Sequence, residues 1–146
     1  MRGYYAIGIE NVKTATNVGT LWRSAKIFDA AYIFTIGRRC KEQKSDTTKA
    51  PRHIPFYQFR DFDQFYENMP YDCKLIGVEI DVRARPLFSF THPDRAIYLL
   101  GAEDSGLLKE TLNRCHAIIQ LPGEPCLNVA VAGSIVMYDR IVKYVT

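Results

Sequence analysis

Apolar residues fall along the chain in short blocks, and their spacing switches between the periods of strand and helix. Tyr4 to Ile9 is rich in β-branched and aromatic residues and predicts a strand. Beyond Thr16-Asn17, Leu21, Trp22, Ala25 and Phe28 follow helical spacing and predict a helix from about Gly19 to Asp29. Ala31 to Ile36 is a second apolar run, ended by Gly37, and Ile54 to Phe59 suits a short strand. Asp61 to Glu67 predicts a short helix with Asp61 as its N-cap. Lys74 to Ile80, Ala96 to Leu100 and His116 to Leu121 read as further strands, with a helix over Leu107 to Cys115 and a long one over Leu127 to Val145. This alternation predicts an α/β fold, a mostly parallel sheet with helices on both faces. With no internal repeat, linker or low-complexity stretch, residues 1–146 read as a single domain.

The last helix is apolar nearly all round, through Leu127, Val129, Val131, Ile135, Val136, Met137, Ile141 and Val142. Such a helix is buried on most sides, either at the centre of the domain or against a second subunit. Hydrophobic residues make up 47% of the 146 and charged residues 24%, which excludes an intrinsically disordered chain. The apolar runs fall far short of the roughly 20 residues of a membrane helix. The N-terminus carries no signal-peptide pattern, so the expectation is a cytoplasmic protein without membrane contact. Cys40, Cys73, Cys115 and Cys126 match no zinc spacing, so no metal is expected. The adjacent Cys115-His116 pair reads as structural.

A net charge of +3 says little about partners, but its distribution says more. Arg38, Arg39, Lys41, Lys44, Lys49 and Arg52 stand against Glu42 and Asp46 in a stretch poor in apolar residues. It reads either as a local footprint for phosphate or as a solvated surface loop.

Three polar clusters fall where such a sheet places its ligand site, at the C-terminal ends of strands. Asn17-Val18-Gly19 leads into a helix bearing Arg23, with Asn17 placed to cap that helix and Arg23 otherwise an exposed helix arginine. Gly101-Ala102-Glu103-Asp104-Ser105-Gly106 follows an apolar strand, and Gly101 allows close backbone approach by a ligand. Leu121-Pro122-Gly123-Glu124-Pro125-Cys126-Leu127-Asn128 leads straight into the last helix, where Asn128 also suits an N-cap.

In combination and order, these clusters resemble the SpoU branch of the SPOUT methyltransferases. Asn17, Gly19, Arg23 and Ala25 meet the first motif of that family; Gly101, Glu103, Gly106 and Leu107 meet the second; Leu121, Pro122, Leu127, Asn128 and Val129 meet the third. The sequence departs at Cys126, where Ser is usual, and at Ala130, where Ser or Asn is common. The resemblance covers Gly8 to Lys143. It implies a C-terminal deep trefoil knot, an exception to the rule against knots, and a homodimer paired through the knot helices. It implies transfer of methyl from S-adenosylmethionine to a ribose 2′-hydroxyl of RNA, with tRNA favoured over rRNA, by a catalytic domain without an N-terminal RNA-binding extension.

By the same resemblance the cofactor is cradled largely by backbone at Gly77, Val78, Glu79, Leu100, Gly101, Leu121, Cys126 and Leu127. Arg23 is the expected catalytic residue, with Asn17, Glu103 and Asn128 orienting it and the loops. Arginine is a poor literal base, so holding a phosphate and stabilising the developing alkoxide suit Arg23 better than proton removal. Arg38, Arg39, Lys41, Lys49 and Arg52 are the expected RNA contacts. Two other readings compete: an inactive RNA-binding homologue, and an unrelated doubly wound nucleotide-binding domain. The chain has neither the GxGxxG loop nor the P-loop lysine of the latter.

Overall fold

A computed structural model describes residues 3–37, 54–123 and 127–145. The basic segment with Arg38, Arg39, Lys41, Lys49 and Arg52, and the motif residue Cys126, lie outside the described residues. Seven strands form one sheet: β1 (Tyr4–Glu10), β2 (Ile33–Ile36), β3 (Phe56–Phe59), β4 (Lys74–Val78), β5 (Arg85–Pro86), β6 (Arg95–Leu100) and β7 (Ala117–Gln120). Their order is β3-β2-β1-β6-β4-β7-β5, and every described pair is parallel. The helices are α1 (Ala15–Ile27), α2 (Phe62–Glu67), α3 (Lys109–Asn113) and α4 (Val129–Val145).

Alternation along the strands divides the interior into two cores. Tyr5, Ile7 and Ile9 of β1, with Tyr98 and Leu100 of β6, pack under Leu21, Trp22 and Ala25 of α1 and Val136 and Met137 of α4. Ala6, Ile97 and Leu99 face the other way, toward Phe65 of α2 and Leu112 of α3. Helices therefore cover both faces, as a parallel sheet requires. Asp61 caps α2 as its sequence suggests, accepting the Gln64 amide at 2.9 Å.

Three local differences from the sequence pattern have physical causes. Helix α1 begins at Ala15, ahead of Gly19, because a distant carboxylate, Glu103, accepts the amides of Lys13 and Thr14 at its start. Asn17 therefore lies inside α1 and caps nothing there. Helix α3 is shorter than expected, because Gly106 takes φ +70° and Leu108 is extended, which delays the helix to Lys109. Helix α4 is not apolar all round: Arg140 is 1% exposed and donates to the carbonyls of Pro93 and Asp94 and to the Tyr98 hydroxyl. The two-residue strand β5 carries too little pattern to be seen in the sequence.

Candidate active site

The C-terminal ends of β4, β6 and β7 and the first turns of α4 enclose a cavity of about 270 Å³. Its apolar wall is made by Val78, Leu100, Leu121, Leu127, Val129 and Ala132, and its polar edge by Glu79 and the loop from Gly101 to Gly106. Of the residues expected to hold a cofactor, Val78, Glu79, Leu100, Gly101, Leu121 and Leu127 line this space. Gly77 does not. It sits one residue below, and a side chain there would meet Cys115 Sγ and Leu107.

The loop after β6 has a shape that only glycine permits at two points. It folds back on itself through a bridge between Ala102 and Gly106. A Cβ at Gly101 would lie 2.3 Å from the Leu107 nitrogen, and one at Gly106 would lie 2.8 Å from a Glu79 carboxylate oxygen. The motif glycines are thus the condition for the loop to close against Glu79.

Three carboxylates hold this loop and its surroundings. Glu103 accepts from the Lys13 amide at 2.9 Å, from the amide and hydroxyl of Thr14 at 3.3 and 3.2 Å, and from Asn17 Nδ2 at 2.5 Å. It supplies the negative charge at the start of α1 that the first turn of the helix lacks. Partial burial works against ionisation of Glu103. Hydrogen bonds from its own amide, Lys13, Asn17 and Thr14 outweigh that and hold its carboxyl below the usual value. Glu79 accepts the Leu107 amide at 2.9 Å. Glu10, at the end of β1 and 2% exposed, accepts the Leu108 amide and, at 2.6 Å, the Thr111 hydroxyl. Burial pushes the Glu10 carboxyl up, against those two bonds.

Asn17 links the first motif to both others. Its Nδ2 donates to Glu103, and its Oδ1 accepts from Asn128 Nδ2 at 3.0 Å. Asn128 in turn accepts the amides of Ala130 and Val131 and so caps α4. Three of the four residues expected to be catalytic thus form one hydrogen-bonded chain, Glu103–Asn17–Asn128, beside the cavity. The fourth stands apart. Arg23 is exposed on α1, does not line the cavity, and has no hydrogen bond or ion pair among the described residues.

Sequence reasoning missed Glu10 and the side-chain role of Glu79. A charged residue closing a run of buried strand residues was the available signal for Glu10. The Cys115-His116 pair is structural: His116 Nδ1 accepts the Leu75 amide, and burial pushes the Cys115 thiol up to about 12. Among the described residues, no group of His, Cys, Asp and Glu side chains is placed to hold a metal, and no helix is long and apolar enough to cross a membrane.

The fold and site define an α/β domain with a mixed apolar and acidic cavity at the C-terminal ends of parallel strands, stitched by a chain of polar side chains from three motifs. The model of the SpoU rRNA Methylase family matches residues 5–138, and the chain belongs to that family. It is 24% identical over 144 residues to an uncharacterized tRNA/rRNA methyltransferase of Archaeoglobus fulgidus, covering 93% of this chain and 63% of that protein. Among solved structures it is similar to the SpoU methyltransferase AviRb of Streptomyces viridochromogenes in complex with AdoMet. That match has a TM-score of 0.87 and 18% identity, and covers 100% of this chain and 60% of the other. It is also similar to a protein solved in work on 2-OH methylation of C/U34 on tRNA, with a TM-score of 0.83 and 19% identity over 98% and 97% of the two chains. The chain thus spans less than two thirds of the length of the first two.

Proposed function

We propose that this protein transfers a methyl group from S-adenosylmethionine to a ribose 2′-hydroxyl of RNA, with tRNA as the favoured substrate, as a cytoplasmic homodimer. The observation that carries the reading is the Glu103–Asn17–Asn128 chain joining three motifs beside one cavity. The cavity's composition suits the cofactor. Apolar side chains and backbone groups fit an adenosyl moiety, and the acidic edge suits a ligand with a positively charged sulfonium. Val78, Glu79, Leu100, Gly101, Leu121 and Leu127 would hold the group, which supplies an activated methyl when bound. The likeness to a tRNA-linked structure over nearly its whole length favours tRNA.

Arg23 does not line the cavity of its own chain, and the family resemblance implies that it serves the cavity of a second copy. Its guanidinium holds a phosphate of the target nucleotide and stabilises charge as the hydroxyl gives its proton to a phosphate oxygen or to water. The outer face of α1 and α4 supports pairing. Val131, Ile135 and Tyr138 are 45%, 38% and 60% exposed around a shallow apolar hollow with Thr20 and Phe28. The strand order also supports the knot. The connection from β4 to β6 runs outside β7 through β5, and the end of α4 reaches back to it, with Lys143 donating to the carbonyls of Leu87 and Phe90. The basic segment from Arg38 to Arg52 is assigned to phosphate contact.

Nucleoside mass spectrometry of RNA from cells with and without the protein tests the reading. Loss of one 2′-O-methylated nucleoside from tRNA is the expected result. An unchanged profile, together with no methyl transfer to bulk RNA by the purified protein, would overturn it.

A further inference from the structure

We infer that the side chain of Glu79 is the recognition element for the ribose hydroxyls of the bound adenosyl cofactor. This inference rests on the cofactor reading above. Glu79 lines the cavity and is only partly buried. Its Oε1 accepts the Leu107 amide at 2.9 Å, which fixes the carboxylate in place, and no other group among the described residues donates to it. Its second oxygen therefore retains its acceptor capacity at the polar edge of the cavity. Of the other two acidic residues at the cavity edge, Glu103 has both oxygens engaged by α1, and Asp104 is also engaged.

The donor it serves follows from the described lining of the cavity. The methionine end of the cofactor is a zwitterion whose carboxylate needs a cation, and no described residue lining the cavity is Lys or Arg. The enclosed part of the ligand is then the adenosine, whose sugar presents two neighbouring hydroxyl donors. A fixed carboxylate with a free oxygen matches that diol, and a hydrogen bond to a charged acceptor is stronger than one to a neutral acceptor. Glycine at position 106 becomes part of the same device, because any side chain there would displace the carboxylate.

Calorimetric binding of S-adenosylhomocysteine, 5′-methylthioadenosine and its 2′,3′-dideoxy analogue to the wild-type, Glu79→Gln and Glu79→Ala proteins tests the inference. Circular dichroism and a thermal midpoint establish that each variant is folded. Wild-type protein should bind the first two ligands, and Glu79→Ala should weaken both by about ten- to a hundredfold, with Glu79→Gln between. Affinity for the dideoxy analogue should be nearly the same in all three proteins. Equal losses for the ribosyl and dideoxy ligands would mean that Glu79 only supports the loop. A loss confined to S-adenosylhomocysteine would mean that it reads the ammonium group. Unchanged affinities throughout would mean that it reads nothing. Each of these three results overturns the inference and leaves the cofactor reading standing, whereas a wild-type protein that binds none of the ligands overturns both.

Discussion

Glu103 shows how one side chain ties the start of a helix to the loop that lines the cavity. Four donors from the start of α1 converge on its carboxylate, so it anchors the helix that carries Asn17 and Arg23 while belonging to the loop that lines the cavity. Glu103→Gln would turn an amide group toward donors that need an acceptor. The expected cost is about 1–3 kcal/mol in urea denaturation, with loss of transfer; a variant of wild-type stability would remove Glu103 from this role. Arg23→Ala should act differently. It should reduce methyl transfer by about 10²–10³-fold, the scale of losing one group that stabilises developing charge. Cofactor affinity should stay as it was, because Arg23 does not line the cavity. Equal losses in binding and turnover would contradict the assignment. At this scale the sequence pointed, through its motifs, to Asn17, Glu103 and Asn128, which the structure joins by hydrogen bonds. It was silent on partners. Nothing in the order of residues says that Asn17 bridges two motifs 86 and 111 positions away.

Helix α4 was legible as a long apolar helix, but its C-terminal half was not. Hydrophobic periodicity counts apolar residues and passes over a cation that is buried because its partners are buried too. Arg140 stacks on the Tyr5 and Tyr144 rings and donates to Pro93, Asp94 and Tyr98. Arg140→Met would leave these acceptors unpaired, and a loss of at least about 3 kcal/mol in chemical denaturation is expected. A fully stable variant would show that the acceptors find other donors. His92 sits in the same cluster, between the Tyr98 hydroxyl at 2.6 Å and Asp139 at 2.8 Å, with Arg140 and Lys143 also on α4, and Asp94 and Tyr144 close by. Burial lowers its pKa below the usual 6.5, against the opposing pull of Asp139. Between the lowered value and 6.5 the unfolded chain therefore binds more protons than the folded one. The stability contributed by neutral His92 is complete above 6.5 and is lost as pH falls through that window. The denaturation midpoint should drop from pH 7.5 to 5.5, and more steeply than in His92→Gln. Identical slopes in the two proteins would exclude His92 as the source.

For the molecule as a whole, the order of strands and helices was legible because each element carries its own period, and parallel pairing follows from their alternation. The sheet order was not, because β6 inserts between β1 and β4 through long-range pairing that no local pattern encodes. Nor does the pattern tell a helix buried inside one chain from one shared between two. The structure sharpens that question, because Arg23 does not line the cavity of its own chain while Val131, Ile135 and Tyr138 are exposed. If two copies pair across this face and each supplies Arg23 to the other's cavity, two defects in different chains should complement. Arg23→Ala removes the arginine and keeps the cavity. Ala132→Phe fills the cavity, which Ala132 lines, and keeps the arginine. Each homodimer should be inactive, the second because it binds no cofactor. In the mixed dimer, one of the two sites combines an intact cavity with an intact Arg23 from the other copy. Co-expression with two different affinity tags and tandem purification isolates that species, and it should recover about half the wild-type turnover, by a count of its sites. A mixed dimer as inactive as its parents would place Arg23 and the cavity of one chain in the same site. A purified protein that stays monomeric at micromolar concentration and still transfers methyl would remove the need for a partner altogether.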